Sequence, residues 1–282
     1  MDSSETAVLR LVTIAAGVLW ATGSFAAVVH VSPGPGSPVQ DAIAAALPGD
    51  TILLAAGTYP EAVSIDKRLR LIGAPGMVAL IDPACSALAA VNVLADRVMV
   101  KNLHVQGGQQ IGVDIENHSR VTVQDVTIQN TCASPEYGIN VFRSTRVRLA
   151  GNSARGFSDA GIYIGGTPAD GDVRALHNEC SASHRGLLVE DAVEGRRGVT
   201  LQSNSSHDNF GGIFLHNSDG VRIIRNLVAG NSQSGIEADP TSDDNLITNN
   251  TISGSPSDVV DDGSGNCWKH NAFGTGSVPP CP

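Results

Sequence analysis

The chain repeats itself with a period in the mid-twenties, and this self-similarity limits its fold more than any other feature. The unit "Gly, apolar, any, apolar" recurs as GVDI at Gly112, GINV at Gly138, GIYI at Gly161, GLLV at Gly186, GIFL at Gly212 and GIEA at Gly235. The spacings are 26, 23, 25, 26 and 23 residues, a mean of 24.6. A second segment follows in each repeat: VTV at Val121, VRL at Val147, VRA at Val173, VTL at Val199 and VRI at Val221. Both segments alternate apolar and polar residues, the period of a half-buried strand. A unit this short, with no helical stretch, cannot bury its apolar face alone; only stacking on its copies makes a continuous core.

Five residues after the first valine of the last four of these segments stand Asn152, Asn178, Asn204 and Asn226, and Asn250 looks like their counterpart in the next repeat. Asn102 and Asp125 fall one place earlier. Asparagine tolerates the left-handed backbone and its amide can bond to copies above and below, so the column predicts equivalent turns stacked on one another. Extending the pattern back through residues 68–73 (RLRLIG) and 89–93 (AAVNV), and forward to Val259 and Val260, gives eight or nine turns. At roughly 4.8 Å per turn the rod is about 40 Å long. Residues 39–47 (VQDAIAAAL) have apolar positions at helical spacing before the breaker Pro48-Gly49, which predicts a short helix closing the N-terminal end. Residues 263–282, with Trp268, are expected to cap the other end.

Composition narrows the partners. Of 282 residues 41% are hydrophobic, enough for a sizeable core and against disorder. Lys and Arg number 18 against 28 Asp and Glu, a net charge of −10, so the global basic field of a nucleic-acid binder is absent. Residues 11–23 (LVTIAAGVLWATG) run into the small residues around Ala26 and Ala27, so residues 1–27 read as a signal peptide and 28–282 as a single secreted or periplasmic domain. The apolar run is shorter than the roughly 20 residues needed to span a bilayer, so no membrane span is expected after cleavage. Of the five cysteines none forms a C-x-x-C pair. Cys267 and Cys281 are placed to close a disulfide loop of about 15 residues, worth roughly 3 kcal/mol. Cys85, Cys132 and Cys180 precede the first strands of alternate turns, and that separation disfavours bonding unless a loop bends.

At this point the chain resembles a right-handed parallel β-helix protein of the pectin-lyase-like superfamily, an all-β solenoid. The opening VHVSPGPGSPVQDAIAAALPGDTILLAAGTYPEAVSIDKRLRLIGAPG is similar to the N-terminal coil of such proteins, and the repeats from Gly112 to Asn250 are similar to their generic coil. The superfamily holds pectate lyases, pectinesterases, polygalacturonases, alginate epimerases and NosD-like accessory proteins, so the resemblance implies a polysaccharide partner. The specific motifs are missing. Asp243-Asp244 and Asp261-Asp262 stand without the other polygalacturonase elements, and neither Asp82-Pro83-Ala84-Cys85 nor Asp239-Pro240-Thr241-Ser242 has the histidine of the epimerase motif.

Strand alternation gives a site independently of family. The second and fourth residues after each glycine should face outward. The second positions include Asn140, Tyr163, Phe214 and Glu237, and the fourth include Glu190, His216 and Asp239 on three consecutive turns. Glu190, His216, Asp239 and Tyr163 are therefore the candidates for acid-base chemistry, with Phe214, Glu237 and Asn140 as substrate contacts. Tyr163 and Phe214 would offer flat faces to a sugar ring. Calcium held by Glu190, Asp239 and Glu237 is a candidate cofactor for neutralising a uronate. Arg148, Arg174 and Arg222 follow the first valine of their strands and are expected to line a groove for an acidic glycan. The expectation is an exported protein that binds polysaccharide along its outward strand face. A lyase or C5-epimerase acting on uronate glycans, and a structural or accessory rod, are the alternatives.

Overall fold

Strands of two to nine residues, wound three to a turn, build the molecule. The computed structural model describes residues 26–76, 78–279 and 281; the expected signal peptide lies almost wholly outside them. The strands form three parallel sheets of 11, 9 and 9 members. In one turn the chain runs through Tyr137–Phe142, Arg148–Ala150 and Ser153–Arg155, then begins the next with Ala160–Gly165. We call the sheets that hold these strands C, A and B respectively. Each strand pairs in parallel with the equivalent strand one turn away, as in Ile139↔Ile162 and Leu187↔Ile213. Sequence alternation anticipated sheets A and C; the third strand of each turn, such as Ser153–Arg155, builds sheet B.

The stack has about ten turns rather than eight or nine. The additional pairings lie where the glycine unit is absent: Val28–Val31 pairs with Thr51–Leu54, and that strand with Arg70–Gly73. At the other end Cys267–Lys269 joins sheet A, so the segment 263–282 begins as one more strand before it becomes a cap. Trp268 is buried there and donates its indole N–H to Asp261 at 2.7 Å.

Inward positions make the core. Val113, Ile139, Ile162, Leu187, Ile213 and Ile236 form one column, none more than 1% exposed. Each such side chain contributes about 1.5–3 kcal/mol by leaving water. The glycine that opens each unit sits at the corner before this column. A Cβ on Gly138 or Gly212 would strike the carbonyl oxygen of Gly161 or Gly235 one turn on, so no larger residue fits.

The asparagine column stands at the corner between sheets A and B. Asn178 donates its amide to Leu149 O at 3.1 Å and to Asn204 Oδ1 at 2.9 Å, while its own Oδ1 accepts from the backbone and side chain of Asn152. These asparagines do not occupy the left-handed backbone expected of them. The residue before each one does: Gly151, His177, Ser203, Arg225 and Asn249 have φ between 54° and 66°. Asn102 and Asp125 share that conformation, which explains their apparent offset of one residue.

The helix α1, Pro38–Ala45, covers the open N-terminal end with Val39 and Ile43 buried beneath it. Its first turn is capped from a distance: both Glu61 carboxylate oxygens accept backbone N–H groups, from Val39 and Gln40, at 2.9 Å. Two disulfides form. Cys267–Cys281 is as expected, and Cys85–Cys132 bridges two turns. The latter was disfavoured on stacking distance. The intervening turn has only Gln106 and Gly107 between its strands, so the longer loops on either side bend over Gly107 and meet. Cys85 donates its N–H to Gly107 O, and Gly107 donates its own to Thr131 Oγ1. Cys180 is free and buried, and burial pushes its thiol far above the usual range.

Candidate functional site

The outward face of sheet C brings a histidine, carboxylates and aromatic rings together. Register puts Asn140, Tyr163, Leu188, Phe214 and Glu237 in one column, and Gly165, Glu190 and His216 in the next. Asp239 follows directly after its strand and reaches His216. The second- and fourth-position rule thus places six of the expected residues on one face. An external apolar patch lies among them: Ala160, Tyr163 and Leu188 are buried, with Tyr137, Phe142 and Phe214 packed against them.

Missing side chains shape the site. Gly165 stands where a Cβ would collide with the Tyr163 ring, so the ring lies across it and the hydroxyl donates to Glu190 Oε2 at 2.7 Å. Tyr163 is 7% exposed and stacks on Tyr137 with ring centroids 4.6 Å apart. It is therefore not the open platform expected; burial, reinforced by Glu190, raises its phenol well above the usual range. Phe214 remains half-buried and supplies the accessible ring.

His216 Nδ1 lies 2.5 Å from Asp239 Oδ2, and Nε2 lies 3.8 Å from Glu190 Oε1. Asp239 is fixed by its own neighbours, its Oδ1 accepting from Thr241 Oγ1 and Ser242 Oγ, each at 2.8 Å. Burial alone would raise the Asp239 carboxyl, but these hydroxyls and His216 outweigh it and hold the group below its ordinary value. Asp239 therefore keeps the imidazole proton on Nδ1 and leaves Nε2 turned to the cleft when the ring is neutral.

Arg185 was missed. It stands immediately before its glycine, a position that also faces outward and that the second- and fourth-position rule omits; in the same column are Tyr137 and Gly211. Gly211 leaves the space its guanidinium fills, since a Cβ there would meet Nη1. The guanidinium lies over Phe214 at 4.4 Å and Phe210 at 5.6 Å from the ring centroids. Its Nη1 is buried and has no hydrogen-bond acceptor among the described residues; the Glu237 carboxylate is 3.9 Å away and already accepts from Ser234 Oγ at 2.7 Å. Burial lowers the Arg185 pKa from its ordinary value, although Glu237 and Asp159 oppose the shift. Arg185 and His184, the latter stacked on Phe210 at 4.9 Å, line a cleft of about 380 Å³ together with Asp159, Leu188, Glu190, Phe214 and His216.

Asn140 is 8% exposed and donates to Asp114 at 2.7 Å, so it orders the column beside the cleft. Glu190, Glu237 and Asp239 each accept from a different neighbour, Tyr163, Ser234 and Ser242 respectively, and among the described residues no three His, Cys, Asp or Glu groups gather as a metal site. Arg148, Arg174 and Arg222 do align, with Thr200 between the last two, but on sheet A. They face another side of the solenoid from His216 and do not contribute to the same cleft.

The family model described as "Right handed beta helix region" matches residues 89–252. No curated protein sequence matches the chain. Among solved structures, pectate lyase Pel9A aligns with a TM-score of 0.66 at 15% identity, over 88% of this chain and 78% of that one. The PL6 family alginate lyase AlyGC gives 0.63 at 15% identity, over 89% of this chain and 41% of that one. Polygalacturonase from Erwinia carotovora ssp. carotovora gives 0.60 at 11% identity, over 90% and 95%. At these identities the likeness is one of fold.

Proposed function

The chain belongs to the right-handed β-helix family, and from that premise we infer that it binds an acidic polysaccharide along the outward face of sheet C. One observation carries the reading: the Arg185 guanidinium lies over Phe214 and Phe210 at the cleft, and its buried Nη1 has no hydrogen-bond acceptor among the described residues. A buried donor left unpaired costs about 1–3 kcal/mol, more when charged, and a ligand carboxylate would remove that cost. Phe214 offers an apolar face to a sugar ring, and Glu190 and Asp159 offer acceptors to its hydroxyls. Solved structures named as pectate lyase, alginate lyase and polygalacturonase share this fold, which agrees with a glycan ligand. Two disulfides suit an oxidising compartment, in keeping with a secreted or periplasmic protein.

A second reading, a lyase or C5-epimerase of uronate glycans, is favoured by the His216–Asp239 pair in the same cleft. With Arg185 holding the uronate carboxylate, neutral His216 Nε2 would take the proton from the adjacent carbon. In elimination the C–H electron pair becomes a double bond and the neighbouring glycosidic oxygen leaves, taking a proton from water; in epimerisation water returns a proton on the opposite face, and in both cases His216 then releases its proton to solvent.

The test incubates the protein with polygalacturonate, alginate and neutral dextran, with and without calcium. Retention is read by affinity electrophoresis, unsaturated ends by absorbance and epimerisation by proton NMR. Retention of an acidic glycan that Phe214→Ala weakens supports binding at sheet C. Turnover that His216→Ala removes while retention persists supports the enzyme. Silence on every readout overturns both and leaves a structural or accessory rod.

A further inference from the structure

Sheet A presents a second charged surface, on a different side of the solenoid from the His216 cleft. Its outward row runs Arg148, Arg174, Thr200, Arg222 in strict register, one residue per turn, so Arg174 and Arg222 stand about 9.6 Å apart. The loops after Ala160–Gly165 and Arg185–Glu190 rise beside this row and add Arg196 and Arg197, with Arg146 close by. Together they enclose two adjoining hollows of about 270 and 630 Å³. Five arginines line them against two carboxylates, Asp170 and Asp172, a local excess of three positive charges on a chain whose net charge is −10. Only Arg174 has a carboxylate partner within ion-pair distance among the described residues, Asp172 at 2.7 Å. Arg146, Arg196, Arg197 and Arg222 are exposed guanidiniums held side by side without one.

Like charges gathered this closely repel, and an anion with several charged groups removes the repulsion. We propose that this groove on sheet A is a separate binding site for a linear polyanionic glycan, lying along the solenoid axis and independent of the sheet C reading. The arginines are spread over successive turns, which suits a chain with repeating charges better than a single phosphate. Thr200 and Gln202 lie between them as neutral partners for hydroxyl groups. No aromatic side chain lines either hollow, so the stacking platform on which single-stranded nucleic acid depends is lacking.

The test uses the full chain carrying Phe214→Ala, so that the sheet C cleft is weakened, and compares it with the same protein bearing Arg196→Gln and Arg197→Gln. Both arginines are exposed loop residues, so the fold is retained, as circular dichroism will verify. The probe is dextran sulfate in affinity electrophoresis at low and moderate salt, with neutral dextran and poly(dT) as comparisons. The Phe214→Ala protein is expected to be retained by dextran sulfate. The added substitutions should weaken retention at least tenfold and flatten its salt dependence. Unchanged retention in the arginine variant, equal retention by neutral dextran, or tighter retention by poly(dT) overturns the proposal. None of these outcomes depends on whether sheet C binds its own ligand.

Discussion

Replacing Asn178 with alanine removes the centre of the corner ladder, and its cost follows from the bonds. Asn178 makes four hydrogen bonds with its side chain: two donated, to Leu149 O and Asn204 Oδ1, and two accepted, from Asn152 N and Nδ2. Some partners are covered after the change. Asn152 Nδ2 still reaches Val123 O, and Asn204 Oδ1 still accepts the backbone N–H of residue 178. The backbone N–H of Asn152, 1% exposed as a residue, loses its acceptor. One orphaned buried donor costs about 1–3 kcal/mol and the bond lost at Leu149 O adds roughly 0.5–1.5 kcal/mol, so a loss of about 3 kcal/mol is expected. For a domain of this size that corresponds to a fall in Tm of about 6–12 °C. The assay is urea unfolding with the disulfides intact, checked by calorimetry. Asn204→Ala should match within about 1 kcal/mol, because it has the same set of partners one turn on. A loss below about 0.5 kcal/mol in either variant would refute the assignment of corner stability to the amide ladder.

Other consequences are equally open to measurement. His177→Gly should stabilise by about 0.5–1 kcal/mol, since His177 holds φ 55° in a turn where a Cβ is unfavourable; thermal unfolding checks it. Removing the Cys85–Cys132 bridge with Cys85→Ala and Cys132→Ala should cost about 4 kcal/mol, as the closed loop of 47 residues' separation predicts, and urea midpoints will show whether it does. His207 is held above the usual histidine value, first by its hydrogen bond to Asp208 and then, against some burial, by Glu179. Its contribution to stability is therefore complete below the unfolded histidine pKa and lost as pH rises through the folded one. A proton NMR titration should show the raised value, and Glu179→Gln should bring it down.

How far the sequence reached can be seen residue by residue. The glycine units announced sheet C because each glycine is the only residue that fits under the carbonyl of the next turn, and that requirement repeats. The outward phase of Tyr163, Glu190 and His216 followed from alternation alone. Arg185 escaped because the corner glycine and the residue after it both face inward, so counting forward from glycine discards the outward residue just before it. Its importance also depends on Gly211 one turn on, a vacancy no single repeat reveals. The Cys85–Cys132 bridge escaped because it depends on the shortness of the loop between two others. The arginine row was legible, yet its separation from His216 was not, since sequence order does not say which of three sheets a short strand joins.

The claim that sheet C is the glycan site is tested most directly by following the histidine ring protons while polygalacturonate is titrated into the protein. The account predicts that the His216 and His184 signals, both in the cleft, shift together and saturate, while His30, on the first strand of sheet A, does not move. Saturable binding that leaves His216 and His184 unmoved would contradict it.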